Sequence, residues 1–407
     1  MGKLSLFLVL GFSILYMILG NSSSKLSNRT VENMAEYNAK TVAHNIAVSG
    51  TNLACNQLFL NGSWVDGYAN VKFENGSFSA GVEILDPWRN IKKLTTVANY
   101  GGATGISDTI EVIFQPSSFS KFAYLSISDP TNLYWSGKDT IWGPFHSEGN
   151  INAYQHPVFV GKATTKGTVK YMTSQLLDEP RFLGGFESGV SLTFPSSGLD
   201  NLKSLANDDG HVFSGKDTVY VTFVNDSIKY RFNYNALPTT VLASSFAPNG
   251  VIYAENAVLR LKGTVTGRYT VACNGTSPKG NIYLDDNIVY KNDPRTNPDS
   301  KDMLGIVSKN SVLITENAAN KSSINIDASI YCEKGGFGAG WPKWTAPNGN
   351  INLYGGIQNY SRVQIGEIHG SEIWGFNRRY KYDERLMIAS PPGYPGTGQL
   401  EIVSWFE

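Results

Sequence analysis

Histidine and cysteine are scarce, with five of one and three of the other in 407 residues. His44, His146, His156, His211 and His369 show no ligand spacing. Cys55, Cys273 and Cys332 are an odd set without C-x-x-C, so neither a zinc cluster nor a dense disulfide framework is indicated. Cys273 and Cys332 are free to pair, which would leave Cys55 over. Net charge is missing too: 34 basic and 34 acidic residues cancel, so nothing directs the chain toward nucleic acid, and no such partner is expected. Disorder is excluded, because 41% of the residues are hydrophobic and only 17% are charged, enough for substantial cores in two or three structural units.

Long apolar runs are absent except at the start. Residues 4–20, LSLFLVLGFSILYMILG, carry no charge over 17 positions, the short end of what spans a bilayer as a helix. The run is longer than a usual signal-peptide core, which favours an uncleaved anchor held in lipid by residues 4–20, while the small residues NSSS at 21–24 keep a cleaved signal peptide as the competitor. Lys3 on one side and Lys25 and Arg29 on the other leave the orientation unassigned.

What is plentiful is glycine, at 41 residues, with 21 tyrosines and 20 phenylalanines, the mixture of many strands and tight turns. From Lys25 to about Phe59 there is no proline, and Ala35, Ala39, Val42, Ala43, Ile46, Ala47, Gly50, Leu53 and Ala54 recur at steps of three and four, predicting an amphipathic helix. Joined to the anchor it would form a rod of roughly 80 Å, unless NSSS breaks it. Residues 60–131 alternate apolar and polar positions beside Asn-Gly pairs at 61–62 and 75–76, the pattern of a small antiparallel sheet that covers the helix's apolar stripe.

The later chain carries a repeat. Branched aliphatics fall six positions apart at Ile252 and Val258, Val265 and Val271, Ile282 and Ile288, Ile306 and Val312, Ile324 and Ile330, and Ile351 and Ile357, then Val363. Short strands at a fixed step, separated by polar or glycine corners, predict a β-solenoid in which each coil buries its aliphatics only by stacking on the next; a sandwich of hairpins is the alternative. Loops at 291–302 and 335–349 would bulge from single corners. The fold class expected is therefore mainly β: a long N-terminal helix with a small antiparallel sheet, then a parallel β-helix-like domain. The division expected is 1–24 anchor or signal, 25–131 helix and sheet, 132–407 solenoid with loop insertions and a C-terminal cap.

SGKDT occurs twice, at 136–140 and 214–218. A phosphate loop needs Ser or Thr after Gly-Lys and a helix beyond; here Asp follows, and then a β-prone run, so both copies predict a corner leading into a strand, with Lys138 and Lys216 exposed. His146, Ser147 and Glu148 are contiguous and would alternate across a strand, which argues against shared catalytic work. Asp285, Asp286, Asp293, Asp299 and Asp302 lie close together, as acid and base groups would on a solenoid face. Aspartates beside Asn, Pro and Ser more often bond their own backbone, and a loose Ca²⁺ site is a further reading. Phe337, Trp341 and Trp344 read either as an adhesive patch or as a core cap. No catalytic, cofactor or metal-binding set is assigned.

KTVAHNIAVSGTNLACNQL at 40–58, behind the apolar start, resembles the N-terminal region of PilX-type minor pilins and related type IV pilus assembly proteins. GPFHSEGNI with PVFVGKATTKG, GVIYAENAVLRLKGTVTGRYTVACNG with NIYLDDNIVYKNDPR, DMLGIVSKNSVLI and YDERLMIASPPGYPG resemble an uncharacterised family of exported bacterial proteins with pilin-like starts. The resemblance implies a protein of diderm bacteria anchored in the inner membrane, its body in the periplasm or at the cell surface, with other envelope or pilus proteins as partners and no known activity. The chain departs from the pilin signature at Gly11-Phe12, inside the run, with Tyr16 at the fifth position where an acidic residue belongs. The expected function is a non-enzymatic component of type IV pilus or secretion-filament assembly; an exported β-helix polysaccharide hydrolase or lyase is the alternative.

Overall fold

A computed structural model describes residues 2–86, 91–101, 105–192, 194, 198–339, 347–369 and 372–407. Contacts divide them into two compact units, one of Met1–Gln115 with Gln399–Glu407, the other of Pro116–Gly398.

In the first unit a single helix runs Gly2–Leu60 without interruption. NSSS does not break it. The Ser22 hydroxyl donates to the Ile18 carbonyl one turn back, as Ser13 does to Val9, so these side chains bond inside the helix rather than compete with it. Side chains from Ser5 to Asn38 are exposed, whereas Ala43, Ile46, Ala47, Ala54, Cys55 and Leu58 are fully or nearly buried. This stripe packs on Phe78, Leu94, Ala98, Ile110, Val112 and Phe114. Gly50 makes the approach possible, since a Cβ there would lie 2.6 Å from the Phe78 ring. The sheet orders Tyr68–Phe73, Gly76–Asp86, Ile91–Tyr100, Ile106–Ser118 and Gly396–Phe406, the first four joined antiparallel. Its first hairpin turns on Glu74 and Asn75, both with positive φ (43° and 61°), so the Asn-Gly signal at 75–76 holds with Gly76 opening the strand. The pair at 61–62 does not form a hairpin: Trp64 N–H bonds the Asn61 carbonyl in the turn that ends the helix.

The second unit is a stack of parallel strands on three faces, with one long cluster of buried side chains inside. Along the first face the rungs run Ile252, Val271, Ile306, Ile330, Ile357, then Tyr124, Phe145, Ala163 and Phe186. Along the second they run Val219, Leu259, Ile282, Val312 and Phe337. The third passes from Ile288 through Ile326, Leu353 and Tyr380 to Ile141, Phe159 and Phe182. The solenoid is thus out of chain order, because the coils made by residues 124–188 stack beyond the last of those made by 211–381. Strand Tyr124–Ser128 belongs to this stack.

The six-residue step is the passage around one corner: first face to second for Ile306 and Val312, second to third for Ile282 and Ile288, third to first for Ile324 and Ile330. Two of its members miss the core. Val258 and Val363 are only half-buried, and Leu259 and Ile365 fill the interior instead. The loop at 291–302 does bulge from one corner, between Ile282–Tyr290 and Met303–Ser308. The loop expected at 335–349 begins as strand Phe337–Ala339, with Phe337 buried in the core rather than in an adhesive patch; Trp341 and Trp344 lie outside the described residues.

The outside of the first face is apolar as well. Leu125, Val251, Tyr253, Ala272, Val307 and Tyr331 are covered by Phe119, Phe194, Tyr394 and helix Gly198–Asp209, whose Leu199, Leu202 and Ala206 point in. That helix begins the second series of coils. At that end a hairpin, Ser227–Arg231 with Thr239–Leu242, folds antiparallel over strand Thr218–Asn225, and Phe246 stacks on His211 at 3.8 Å.

Cys273 and Cys332 do not pair. They sit in one column with Ser308 in the rung between them, about 9.6 Å apart at two strand spacings, beyond the reach of a disulfide. All three cysteines are free and buried.

Candidate functional site

Both SGKDT copies sit at corners that lead into strands, the first opening a third-face strand at Thr140 and the second a second-face strand at Thr218. The Asp139 carbonyl accepts the N–H of Val158 in the next coil (3.1 Å), and the Asp217 carbonyl accepts that of Val258 (2.8 Å). Thr140 and Thr218 then start strands paired with Val158 and Val258. Lys138 and Lys216 are both exposed, Lys216 lying 4.7 Å from the Phe232 ring centre. The surroundings differ too: the Asp217 side chain is exposed and pairs with Lys279, while Asp139 is buried.

Buried Asp139 belongs to a pocket. Its Oδ2 accepts from Ser136 N (2.8 Å) and Ser136 Oγ (3.2 Å), closing the turn, and from Arg378 Nη1 at 2.8 Å. Arg378 comes from strand Glu372–Lys381 in the neighbouring coil. The Trp135 ring lies beside two guanidinium groups, Arg362 at 4.1 Å and Arg378 at 5.0 Å. Arg362 donates to the carbonyls of Leu133 and Tyr134, and among the described residues no carboxylate is bonded to it. Burial therefore lowers its pKa, and the Arg378 charge adds to that. Burial is the largest influence on Arg378 and pulls the same way, but Asp139 together with Tyr380 and Tyr124 outweighs it and the net shift is upward. The cavity over this pair has a volume of about 210 Å³ and is walled by Asn132, Tyr134, Gln364, Glu367 and Phe376 among others. Its chemistry is that of binding. Arg378 and Asp139 neutralise each other, and polar amides and aromatic edges surround them.

The contiguous triplet splits as strand alternation requires. Ser147 turns toward Asp129, which also accepts from Ser126, whereas His146 and Glu148 share the other side. His146 Nε2 lies 3.1 Å from Glu148 Oε1, and its Nδ1 lies 2.7 Å from Thr164 Oγ1. Burial pushes the imidazole below its usual value against the pull of Glu148. Burial also pushes Glu148 up, but hydrogen bonds from Leu192 N, His146 and Ser191 outweigh it and hold the carboxyl below the usual range. Glu148 is a clip for the segment at 191–192.

The five aspartates are not brought together as an acid–base set. Asp285 is held in a fork by Arg260 and also accepts from Thr315. Asp286 bonds the N–H of Asn287, and Asp293 bonds Arg295. Asp302 accepts from Gly267 N and Asn292 N, tying down both ends of the 291–302 loop, while Asp299 is exposed on it. Among the described residues no group of three or more His, Cys, Asp or Glu is arranged to hold a metal ion. The residues that sequence reasoning missed are Arg362 and Arg378. The only local signal is Asp139, the member of SGKDT that spoils the phosphate motif, and its partner lies far along the chain.

At the N-terminus, the helix is long and apolar enough to cross a membrane, and its apolar window is unburied.

No protein-family model matches the chain, and no curated protein is similar to it. Among solved structures, the crystal structure of the competence-associated pilin ComZ from Thermus thermophilus is similar at 11% identity and a TM-score of 0.34, over 89% of this chain and 96% of that one. A superposition that loose carries no argument about fold or function.

Proposed function

We propose that the protein is a membrane-anchored envelope component of pilin-like build, serving type IV pilus or secretion-filament assembly without catalysis and presenting its solenoid to a partner. One observation carries the reading. Helix Gly2–Leu60 is apolar and bare in its first third and packed on an antiparallel sheet in its last, so one element has an end fit for lipid and an end fit for a folded body. The body lies outside the inner membrane in this reading.

Fractionation tests it. Intact protein is expected in the membrane fraction, resistant to salt and released by detergent. Deletion of residues 1–24 is expected to yield a soluble body, because side chains through Asn38 are exposed and add nothing to either core. Recovery of the intact chain as a soluble protein would overturn the anchor.

A further inference from the structure

We infer that the outward face of the solenoid formed by Thr218–Asn225, Ser227–Arg231, Val258–Val265 and Ile282–Tyr290 binds an extended acidic polysaccharide through its carboxylates. The inference rests on the display reading above and names the partner's chemistry.

Val219, Val221, Leu259, Leu261, Ile282 and Leu284 are buried, so their alternate neighbours face outward. Register then sets these neighbours in rows across the strands. One row reads Arg231, Tyr220, Arg260, Tyr283. Two positions along, a second reads Thr240, Lys229, Thr222, Lys262. Neighbours within a row are one strand spacing apart, about 4.8 Å.

In the first row cations alternate with rings. Arg231 lies 5.2 Å from Tyr220 and 5.1 Å from Tyr234, and Arg260 lies 5.8 Å from Tyr220 and 5.2 Å from Tyr283. Flanking rings hold the guanidinium of Arg231 in place without consuming its hydrogen-bond donors. Asp285 neutralises Arg260. Among the described residues no carboxylate is ion-paired with Arg231, Lys229 or Lys262, although Asp286 stands in the irregular stretch of Ile282–Tyr290 opposite Lys262.

The complement of such a face is a linear polyanion. A guanidinium fork fits a carboxylate, and the hydroxyls of Tyr220, Thr222, Thr240 and Tyr283, interleaved with the cations, fit the hydroxyls of a sugar chain. Cations repeated across neighbouring strands suit an extended strand rather than a compact ligand. Nucleic acid is the poorer fit, because its phosphates follow one another closely and this face offers only three unpaired cations.

The test is binding of the full chain in detergent to immobilised polygalacturonate, with neutral dextran and single-stranded DNA as comparators. Expected are retention on polygalacturonate that weakens with salt, none on dextran, and weaker retention on DNA. Lys229→Ala with Arg231→Ala should weaken binding about tenfold, as loss of charge-assisted bonds does, and the single exposed change Lys262→Glu should weaken it similarly, while Lys321→Ala should not. Retention equal on dextran, tighter on DNA, or unchanged in Lys262→Glu would overturn the inference. None of these variants alters the apolar helix, so membrane fractionation reports on the anchor separately.

Discussion

Tyr124 is the parallel neighbour of Ile357. The first strand of the solenoid to be made is therefore seated on one that the chain reaches much later, and the two series of coils meet at this rung. Gly356 and Gln358 complete the seam: a Cβ at Gly356 would lie 2.4 Å from the Phe122 carbonyl, which also accepts from Gln358 Nε2 at 2.9 Å.

The seam should be separable. Ile357→Ala removes a fully buried side chain and is expected to cost about 2–5 kcal/mol, with hydrogen exchange rising first in Tyr124–Ser128 and its neighbours. Ile306→Ala, within one series, should cost a similar amount without selectively exposing Tyr124–Ser128. Equal exchange at Tyr124–Ser128 in both variants would show that the two series do not part at this rung.

The Asp139–Arg378 pair joins a buried carboxylate to a guanidinium only 12% exposed, so removing either partner alone strands a charge. Arg378→Met or Asp139→Ala should each destabilise by about 3–5 kcal/mol, and the double change by clearly less than their sum. Denaturant titration of the four proteins reads the coupling. Additive losses would mean that the pair holds nothing together beyond its separate contacts.

His146 predicts a specific acid sensitivity. Its folded pKa is lowered from 6.5 by burial, so the unfolded chain binds this proton more readily. Stability is then full above 6.5 and declines as pH falls through that value toward the lowered one, where the loss levels off. Glu148 acts at lower pH, since its depressed pKa gives stability present above 4.5 and lost as pH falls through the folded value. His146→Gln should flatten the slope of stability just below pH 6.5 while leaving the lower limb. An unchanged slope would assign that window to another group.

All three thiols should be silent in the folded protein and free in the unfolded one. Burial pushes Cys55 up to about 11 and Cys273 and Cys332 up to about 12, so little thiolate exists near neutrality. Alkylation of protein purified without reductant should add nothing before denaturation and three adducts after it. A single adduct after denaturation would reveal a disulfide.

Periodicity carried most of what was legible in the sequence. The stripe through Ala43, Ile46, Ala47 and Ala54 is a local consequence of the helical repeat, and the aliphatic pairs from Ile252 to Ile357 record the distance around a corner; both report burial that each segment needs wherever its partner lies. The coils from Tyr124 to Phe186 were not legible, because their interior is Tyr124, Phe145, Phe159 and Phe182 on strands of two to five residues, too short and too aromatic for an aliphatic repeat to show.

What the sequence determined by itself is the class of each segment: an apolar helix, a small antiparallel sheet, short strands with corners, and the two SGKDT turns that lead into strands. Tertiary structure decided which segments meet. Strand pairing joins backbone to backbone and leaves little trace in residue identity, so neither the seating of Tyr124 on Ile357, nor the placing of Ser308 between two cysteines, nor the choice of Arg378 as partner for Asp139 is written in local pattern. The same lysine-containing turn lies over a buried ion pair at 139 and on open surface at 217 because a neighbouring coil supplies an inward arginine in one place and a partly exposed lysine in the other.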